Sequence, residues 1–247
     1  MNQLRELAQE IEQVNNIAVL TGAGVSTASG IPDFRSTNGI WSQDHSREYY
    51  MSREYFFANP EDFWNKYKDI FQIKLLKDYQ PNRVHYFLKK LEDDGKAVSV
   101  ITQNVDGLHR EAGNDHVLEY HGNLNTASCP NCGATYDLDY VMEETVPHCN
   151  EAGCGDILKP NIVLFGDPIT KHNEAEAAIE SSDIVIVLGT SLTVTPFSLL
   201  PNYASHLNKP MVIMNRESTA ADSLFDYVIH ADLTEAISEV EEVVLKD

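Results

Sequence analysis

Cys129-Pro-Asn-Cys132 and Cys149-Asn-Glu-Ala-Gly-Cys154 hold all four cysteines of the chain, with sixteen residues between the pairs. Two close pairs on a short ribbon is the spacing that closes a tetrahedral Cys₄ zinc site. Four thiolate ligands leave no position for a metal-bound water, so such an ion holds structure and performs no reaction. Four unrelated thiols are the plainer reading, and the pairing argues against it. Reactive groups are therefore sought in other runs. Thr21-Gly-Ala-Gly-Val-Ser26 contains Gly22, Ala23 and Gly24 after an apolar stretch, and Ser29-Gly-Ile-Pro-Asp-Phe-Arg-Ser36 follows it. Glycines between a strand and a helix let backbone N–H groups approach a pyrophosphate. Thr27 stands where a third glycine of the ordinary dinucleotide fingerprint falls. The turn alone thus fits a simple strand-to-helix connection as well as a nucleotide.

Other polar groups converge in pattern with it. Thr102-Gln-Asn-Val-Asp-Gly-Leu-His109 directly follows an apolar run, and Leu118-Glu-Tyr-His-Gly122 sets a histidine beside a glycine. Gly189-Thr-Ser191, Asn215-Arg-Glu217 and Asp232 also follow apolar runs. Polar side chains at the carboxyl ends of several strands mark the place where open α/β sheets bind ligands.

The elements that must carry these groups follow from periodicity. Ile17 to Leu20, Ala97 to Ile101, Ile184 to Leu188 and Met211 to Met214 read as inner strands, with Val228 to His230 as an edge. Helical patterns run from Leu4 to Val14, Asn82 to Asp94, Asn173 to Ser181 and Thr234 to Leu245. This alternation predicts an α/β fold: a Rossmann-like parallel sheet with helices on both faces. Two stretches break it, the aromatic-rich Tyr49 to Lys77 and the cysteine ribbon Ser128 to Asp156. Both are expected to form a smaller module, helical over 39–77 and a zinc ribbon over 128–156, against a large unit of 1–38, 78–127 and 157–247. The cleft between them is the expected ligand site.

Bulk composition narrows the partners. The chain has 247 residues and a net charge of −20, from 18 basic and 38 acidic side chains. That charge argues against nucleic acid and anionic membranes as partners. It suits solubility, and it attracts lysine-rich protein segments. No run reaches the ~18–20 apolar residues of a membrane span, and no secretory leader is apparent. Paired cysteines then fit a reducing cytoplasm. A monomer or weak oligomer is expected.

Taken in order, Gly-Ala-Gly-Val-Ser, Gly-Ile-Pro-Asp-Phe-Arg-Ser, Thr-Gln-Asn-Val-Asp-Gly-Leu-His, the His-Gly pair, the two cysteine pairs, Val163-Leu-Phe-Gly-Asp167, Gly-Thr-Ser-Leu and Asn-Arg-Glu resemble the sirtuins, NAD-dependent protein-lysine deacylases. The resemblance covers roughly Ile17 to Leu233. It implies NAD as co-substrate, one structural zinc, and acetylated proteins or peptides as substrates. It makes His121 the base that deprotonates a ribose hydroxyl, and Asn104 the residue orienting ribose and a water. Val105 and Asp106 are then the nicotinamide pocket, and Phe34 shields the reactive ribose face. Ala23, Thr27, Arg35 and Gln103 hold phosphates and ribose, with Gly22, Gly24, Asp33 and Gly189 in the same cofactor set. Thr190, Ser191, Asn215, Arg216 and Asp232 meet the adenosine end. Val163, Phe165 and Gly166 pair with the substrate peptide as an added strand and flank the acyl-lysine. Asp167 stands where the family more often has Glu.

The resemblance also bears on the acyl group. Members preferring acidic acyl chains carry Tyr-x-x-Arg in the helical module; here Tyr67 takes the tyrosine position and Ile70 the arginine. Neutral acyl groups, acetyl first, are expected. Protein ADP-ribosylation at the same site and a non-catalytic NAD-sensing scaffold are the competing readings. An ordinary nicotinamide oxidoreductase is disfavoured by the missing third glycine.

Overall fold

The computed structural model describes residues 2–33, 46–76 and 79–245. Its main sheet has six parallel strands in the order β3-β2-β1-β7-β8-β9. The strands are β1 (Asn16–Thr21), β2 (Ala97–Thr102), β3 (His116–Glu119), β7 (Ile184–Leu188), β8 (Met211–Asn215) and β9 (Tyr227–His230). Successive side chains leave opposite faces of a strand, and the two cores divide accordingly. Ile17, Val19, Val98, Val100, Ile184 and Ile186 face α1 (Asn2–Gln13), α5 (Arg83–Asp93) and α10 (Leu233–Val244). Ala18, Leu20, Ile101, Val185 and Val187 face α8 (His172–Ser181) and α9 (Leu200–His206). Both sides of β1 are covered, which is why its run is uninterruptedly apolar.

Strand order reverses at β1. The chain builds outward through β2 and β3, then returns to β7 and builds the other way. A crevice opens at the carboxyl ends of strands flanking such a switch point. Six strands at ~4.8 Å spacing make an edge about 24 Å long.

A second, three-stranded antiparallel sheet, β5-β4-β6, carries the cysteine ribbon and draws in segments expected in the large unit, since β4 (Gly122–Ser128) and β6 (Lys159–Ile162) pair with each other and β4 with β5 (Thr135–Asp137). Helices α2 (Ser46–Tyr50), α3 (Arg53–Ala58) and α4 (Pro60–Leu76) pack on it around Phe56, Phe63, Trp64, Tyr67 and Phe71. Trp64 Nε1 donates to Leu158 O at 2.8 Å and ties α4 to the ribbon. The ribbon also contains α7 (Leu138–Glu143), capped by Asp137, which accepts from Tyr140 N at 3.0 Å.

The expected helix after the glycine turn does not form. Two 3₁₀ turns, Ala23–Val25 and Thr27–Ser29, stand in its place. Carbonyls that an α-helix needs are taken elsewhere: Gly24 O accepts from Thr27 Oγ1 and Val25 O from Asn82 Nδ2. Gly30, at φ +86°, then turns the chain away. The short α6 (Leu108–Glu111) starts at Gly107, which takes φ +78°.

Candidate active site and metal centre

A cavity of about 600 Å³ runs along the carboxyl ends of the parallel strands and under the smaller module. Its floor is backbone. Gly24 N–H donates to Gly189 O at 2.8 Å, and a Cβ at Gly24 would lie 2.8 Å from Gly189 Cα. A Cβ at Gly22 would meet Thr190 Cβ at 2.6 Å. The glycines therefore let two loops interlock across the switch point. Above them, Ala23, Thr27, Asp33, Gly189, Ser191 and Arg216 line the cavity.

Several expected contact residues first cross-link the strand ends. Thr190 Oγ1 accepts from Gln103 Nε2 at 2.8 Å, and Thr190 O accepts from Asn215 Nδ2 at 2.7 Å. The ends of β2, β7 and β8 are thereby cross-linked, β2 to β7 across β1, and all three residues face the cavity. Asp232 caps α10 by accepting from Thr234 N at 2.9 Å, and it pairs with Arg216 at 2.7 Å. The capping and Arg216 bonds hold its carboxyl down to about 2.

Asn104 is buried and its orientation is set by donation. Its Nδ2 reaches Gly22 O at 3.0 Å and Ser26 Oγ at 3.1 Å. Both amide hydrogens are then used and Oδ1 remains an acceptor. Ser26 Oγ in turn donates to Asp106 Oδ2 at 2.7 Å, while Asp106 Oδ1 accepts from Leu108 N at 3.1 Å. Val105 lines the main cavity; Asp106 sits behind that wall. Phe34 and Arg35 lie outside the described residues.

His121 follows β3 and lines the cavity. Its ring packs on Tyr120 and Phe197, at centroid distances of 5.3 and 6.4 Å. Burial pushes its pKa down to about 4, against a hydrogen bond to the Gln103 backbone that favours the cation. The imidazole is thus neutral, able to take a proton, at pH 7. His109 is elsewhere: fully buried, with Nε2 3.1 Å from Thr21 Oγ1.

Val163, Phe165, Gly166 and Asp167 form the module's side of the cavity, with apolar Met51, Phe71, Ile162 and Leu164. Tyr67 and Ile70 are packed in the module core instead. Sequence reasoning missed Val194, Thr195 and Pro196, and Ser218 and Thr219, which also line the cavity. Their only signal was position after the β7 and β8 runs.

The four cysteine sulfurs lie within 4.8 Å of one another, with Cys129–Cys154 and Cys132–Cys149 both at 3.5 Å. Zn–S bonds of ~2.3 Å set tetrahedral sulfurs ~3.8 Å apart, so the cluster fits that ion. The thiols also titrate against each other. Cys129 is drawn down to about 7, chiefly by the Cys132 N–H, and Cys149 down by Tyr136, while Cys132 and Cys154 are held up. Four thiolates this close need a cation to ionise together. Cys132 N–H also approaches Cys129 Sγ at 3.5 Å, and Tyr136 Oη lies 3.2 Å from Cys149 Sγ. His148 bonds Val146 O at 2.8 Å and stays out of the cluster.

Comparisons with known proteins agree with this geometry. The Sir2 family model matches residues 22–196. The NAD-dependent protein deacetylase 2 of Geobacillus kaustophilus is 45% identical over 242 residues, covering 97% of each chain. The NAD-dependent protein deacetylase of Bacillus subtilis is 47% identical, over 91% of this chain and 94% of its own. A Sir2 structure with deacetylated p53 peptide and 3′-O-acetyl ADP ribose superposes with TM-score 0.88 at 33% identity, covering 97% of this chain and 98% of its own. Another, with a propionylated peptide, gives TM-score 0.83 at 32% identity over 97% and 98%. The family model spans most of the chain and the relatives are similar along nearly its whole length, so the chain belongs to the Sir2 family.

Proposed function

We propose that this protein is an NAD-dependent protein-lysine deacetylase. The observation that carries the reading is His121, neutral and lining the same cavity as the glycine floor and the Val163–Gly166 segment. The amide oxygen of acetyl-lysine attacks the ribose carbon as the bond to nicotinamide breaks. His121 then removes a proton from a ribose hydroxyl, whose oxygen attacks the imidate carbon. Water completes release of the free lysine and O-acetyl-ADP-ribose. The nucleophile belongs to the substrate, so the protein supplies position and one base.

Asn104 Oδ1 accepts from a ribose hydroxyl or a water, because its amide hydrogens are held by Gly22 and Ser26. Val105 walls the nicotinamide. Asp106, behind that wall, fixes Ser26 and through it the Asn104 amide. Gly22 to Gly24, Thr27, Asp33 and Gln103 receive the phosphates and ribose, with Arg35 and Phe34 contributing from outside the described residues. Gly189 to Ser191, Asn215, Arg216 and Asp232 receive the adenosine end. The four cysteines hold one zinc, which braces the module and takes no part in the reaction. The chain is read as one catalytic unit, a large α/β part and a small helical and zinc part, working in a reducing cytoplasm as a monomer or weak oligomer. No helix among the described residues is long and apolar enough to cross a membrane.

Acetyl and other neutral acyl groups are the substrates. Among the described residues lining the cavity Arg216 is the only cation, and it is paired with Asp232. A buried succinyl carboxylate would lack a partner, at a cost of several kcal/mol. Faster turnover of a succinylated than of an acetylated peptide would defeat this choice. The reaction itself is tested by mass spectrometry of products from NAD and an acetyl-lysine peptide. Nicotinamide and O-acetyl-ADP-ribose should appear together; nicotinamide release that ignores the peptide, or ADP-ribosylated peptide that keeps its acetyl group, would overturn it.

A further inference from the structure

Asp167 carries a charge that the reaction does not use. Its side chain is only 8% exposed, yet it takes Lys159 Nζ at 2.8 Å and Arg53 Nη1 at 3.3 Å. Burial alone would raise its pKa; Lys159, the Leu164 N–H and Arg53 outweigh that and hold it below the usual carboxylate range.

These bonds enclose one short segment. Asp167 Oδ2 accepts from Leu164 N at 3.0 Å, and Asp167 N–H returns to Leu164 O at 2.9 Å. Lys159 Nζ reaches Ile162 O at 3.4 Å as well as the carboxylate, so one ammonium ties both ends of Ile162–Asp167. Arg53 holds the middle: its N–H donates to Phe165 O at 2.9 Å while its guanidinium meets Asp167. Phe165 N–H donates to Met51 O at 3.0 Å. Gly166 completes the turn at φ +88°, in the left-handed region.

We infer that Asp167 is a positioning residue for the acyl-peptide: through Lys159 and Arg53 it keeps Ile162–Asp167 as a preformed edge and so sets the KM for peptide, leaving that for NAD to the Gly22–Gly24 and Gly189 loops. The inference rests on the deacetylase reading above. A peptide adding as a strand binds through main-chain bonds to an edge already in shape. An edge that must be ordered on binding takes its ordering cost out of affinity.

Steady-state kinetics on the full chain test it, varying acetyl-lysine peptide at saturating NAD and then NAD at saturating peptide. Asp167→Asn should raise the peptide KM at least tenfold and move the NAD KM less than twofold. Asp167→Glu, which keeps the charge, should stay within threefold for peptide. The Arg53→Met/Lys159→Met double variant strips the cations and should reproduce the peptide effect, which keeps the test open where Asp167→Asn folds poorly. A peptide KM within twofold of wild type in both Asp167→Asn and the double variant, or equal rises for peptide and NAD, would overturn the inference while the deacetylase reading stood. Wild-type protein that consumed no NAD with the peptide would overturn both.

Discussion

His121 O accepts a hydrogen bond from Val163 N at 2.8 Å, so the proposed base and the proposed peptide edge are joined through backbone. The next residue makes that contact possible. Gly122 has φ +77°, and a Cβ there would lie 1.9 Å from Asn161 O. Gly122→Ala must push β4 away from β6 beside the site. A displacement of about 1 Å costs on the order of 100-fold in rate, so kcat/KM should fall at least that far. Near wild-type kinetics from a folded Gly122→Ala protein would show that this registry is unimportant.

His121→Ala should leave NAD binding, measured by calorimetry, within a few-fold of wild type. Turnover should drop by roughly 10²–10⁴, the usual contribution of a positioned base. The pH profile gives a second handle. Since burial favours neutral His121, with a pKa pushed down to about 4, kcat/KM should hold up below pH 6.5 and decline only as pH falls toward that value. An acid limb at or above 6.5 would contradict the burial effect.

Acid should also weaken the fold, through two other histidines. His85 and His109 are fully buried with ring centroids 4.7 Å apart. His85 Nδ1 accepts from Asn82 N at 3.1 Å and completes the cap of α5. Burial, and secondarily the His109 charge, lowers His85 to about 2. Burial lowers His109 to about 4, opposed by Asp106 and Asn114. Both folded values lie below the unfolded 6.5, so the unfolded chain binds more protons in acid. Stability is complete above pH 6.5 and is lost as pH falls, at about 1.4 kcal/mol per pH unit for each group, down to about 4 for His109 and on toward about 2 for His85. His85→Gln keeps an acceptor for the cap and should flatten the slope by about one group's share. Denaturant midpoints at pH 6.5 and 5 that fall equally in variant and wild type would refute it.

Zinc should matter for folding before chemistry. Cys129 and Cys149 are buried in the same core as Phe63, Trp64 and Tyr67. Structural zinc contributes about 10–16 kcal/mol in small modules, comparable with a whole domain's ~5–15 kcal/mol. Cys129→Ala or Cys154→Ala should lose bound zinc and lower the melting temperature by more than 10 °C. A zinc-free variant that melts with wild type and stays active would contradict this.

Much of the large unit was legible because its strands are buried on both faces. Ile184–Leu188 has the predicted bounds, and Ala97–Thr102 and Met211–Asn215 extend the expected runs by one residue. β3 escaped: His116–Glu119 is an edge strand with only Val117 buried, so periodicity is silent there. β4 and β6 escaped for a related reason, since GNLNTAS and KPNI lack an apolar signal and pair through backbone. The expected site residues mostly do reach one cavity. What no motif conveys is the indirect geometry, in which Asp106 acts on Ser26 and Thr190 ties Gln103 to Asn215.

Val105 belongs to two places at once: it packs with Cys129, Cys149 and Trp64, and it walls the cavity. Its carbonyl is gripped by Leu124 N at 2.9 Å, on the strand that leads into the metal ribbon. A chelator or thiol oxidant therefore has a route to poison turnover without ever entering the cleft. Slackening the ribbon slackens Val105, the partition proposed above to flank nicotinamide.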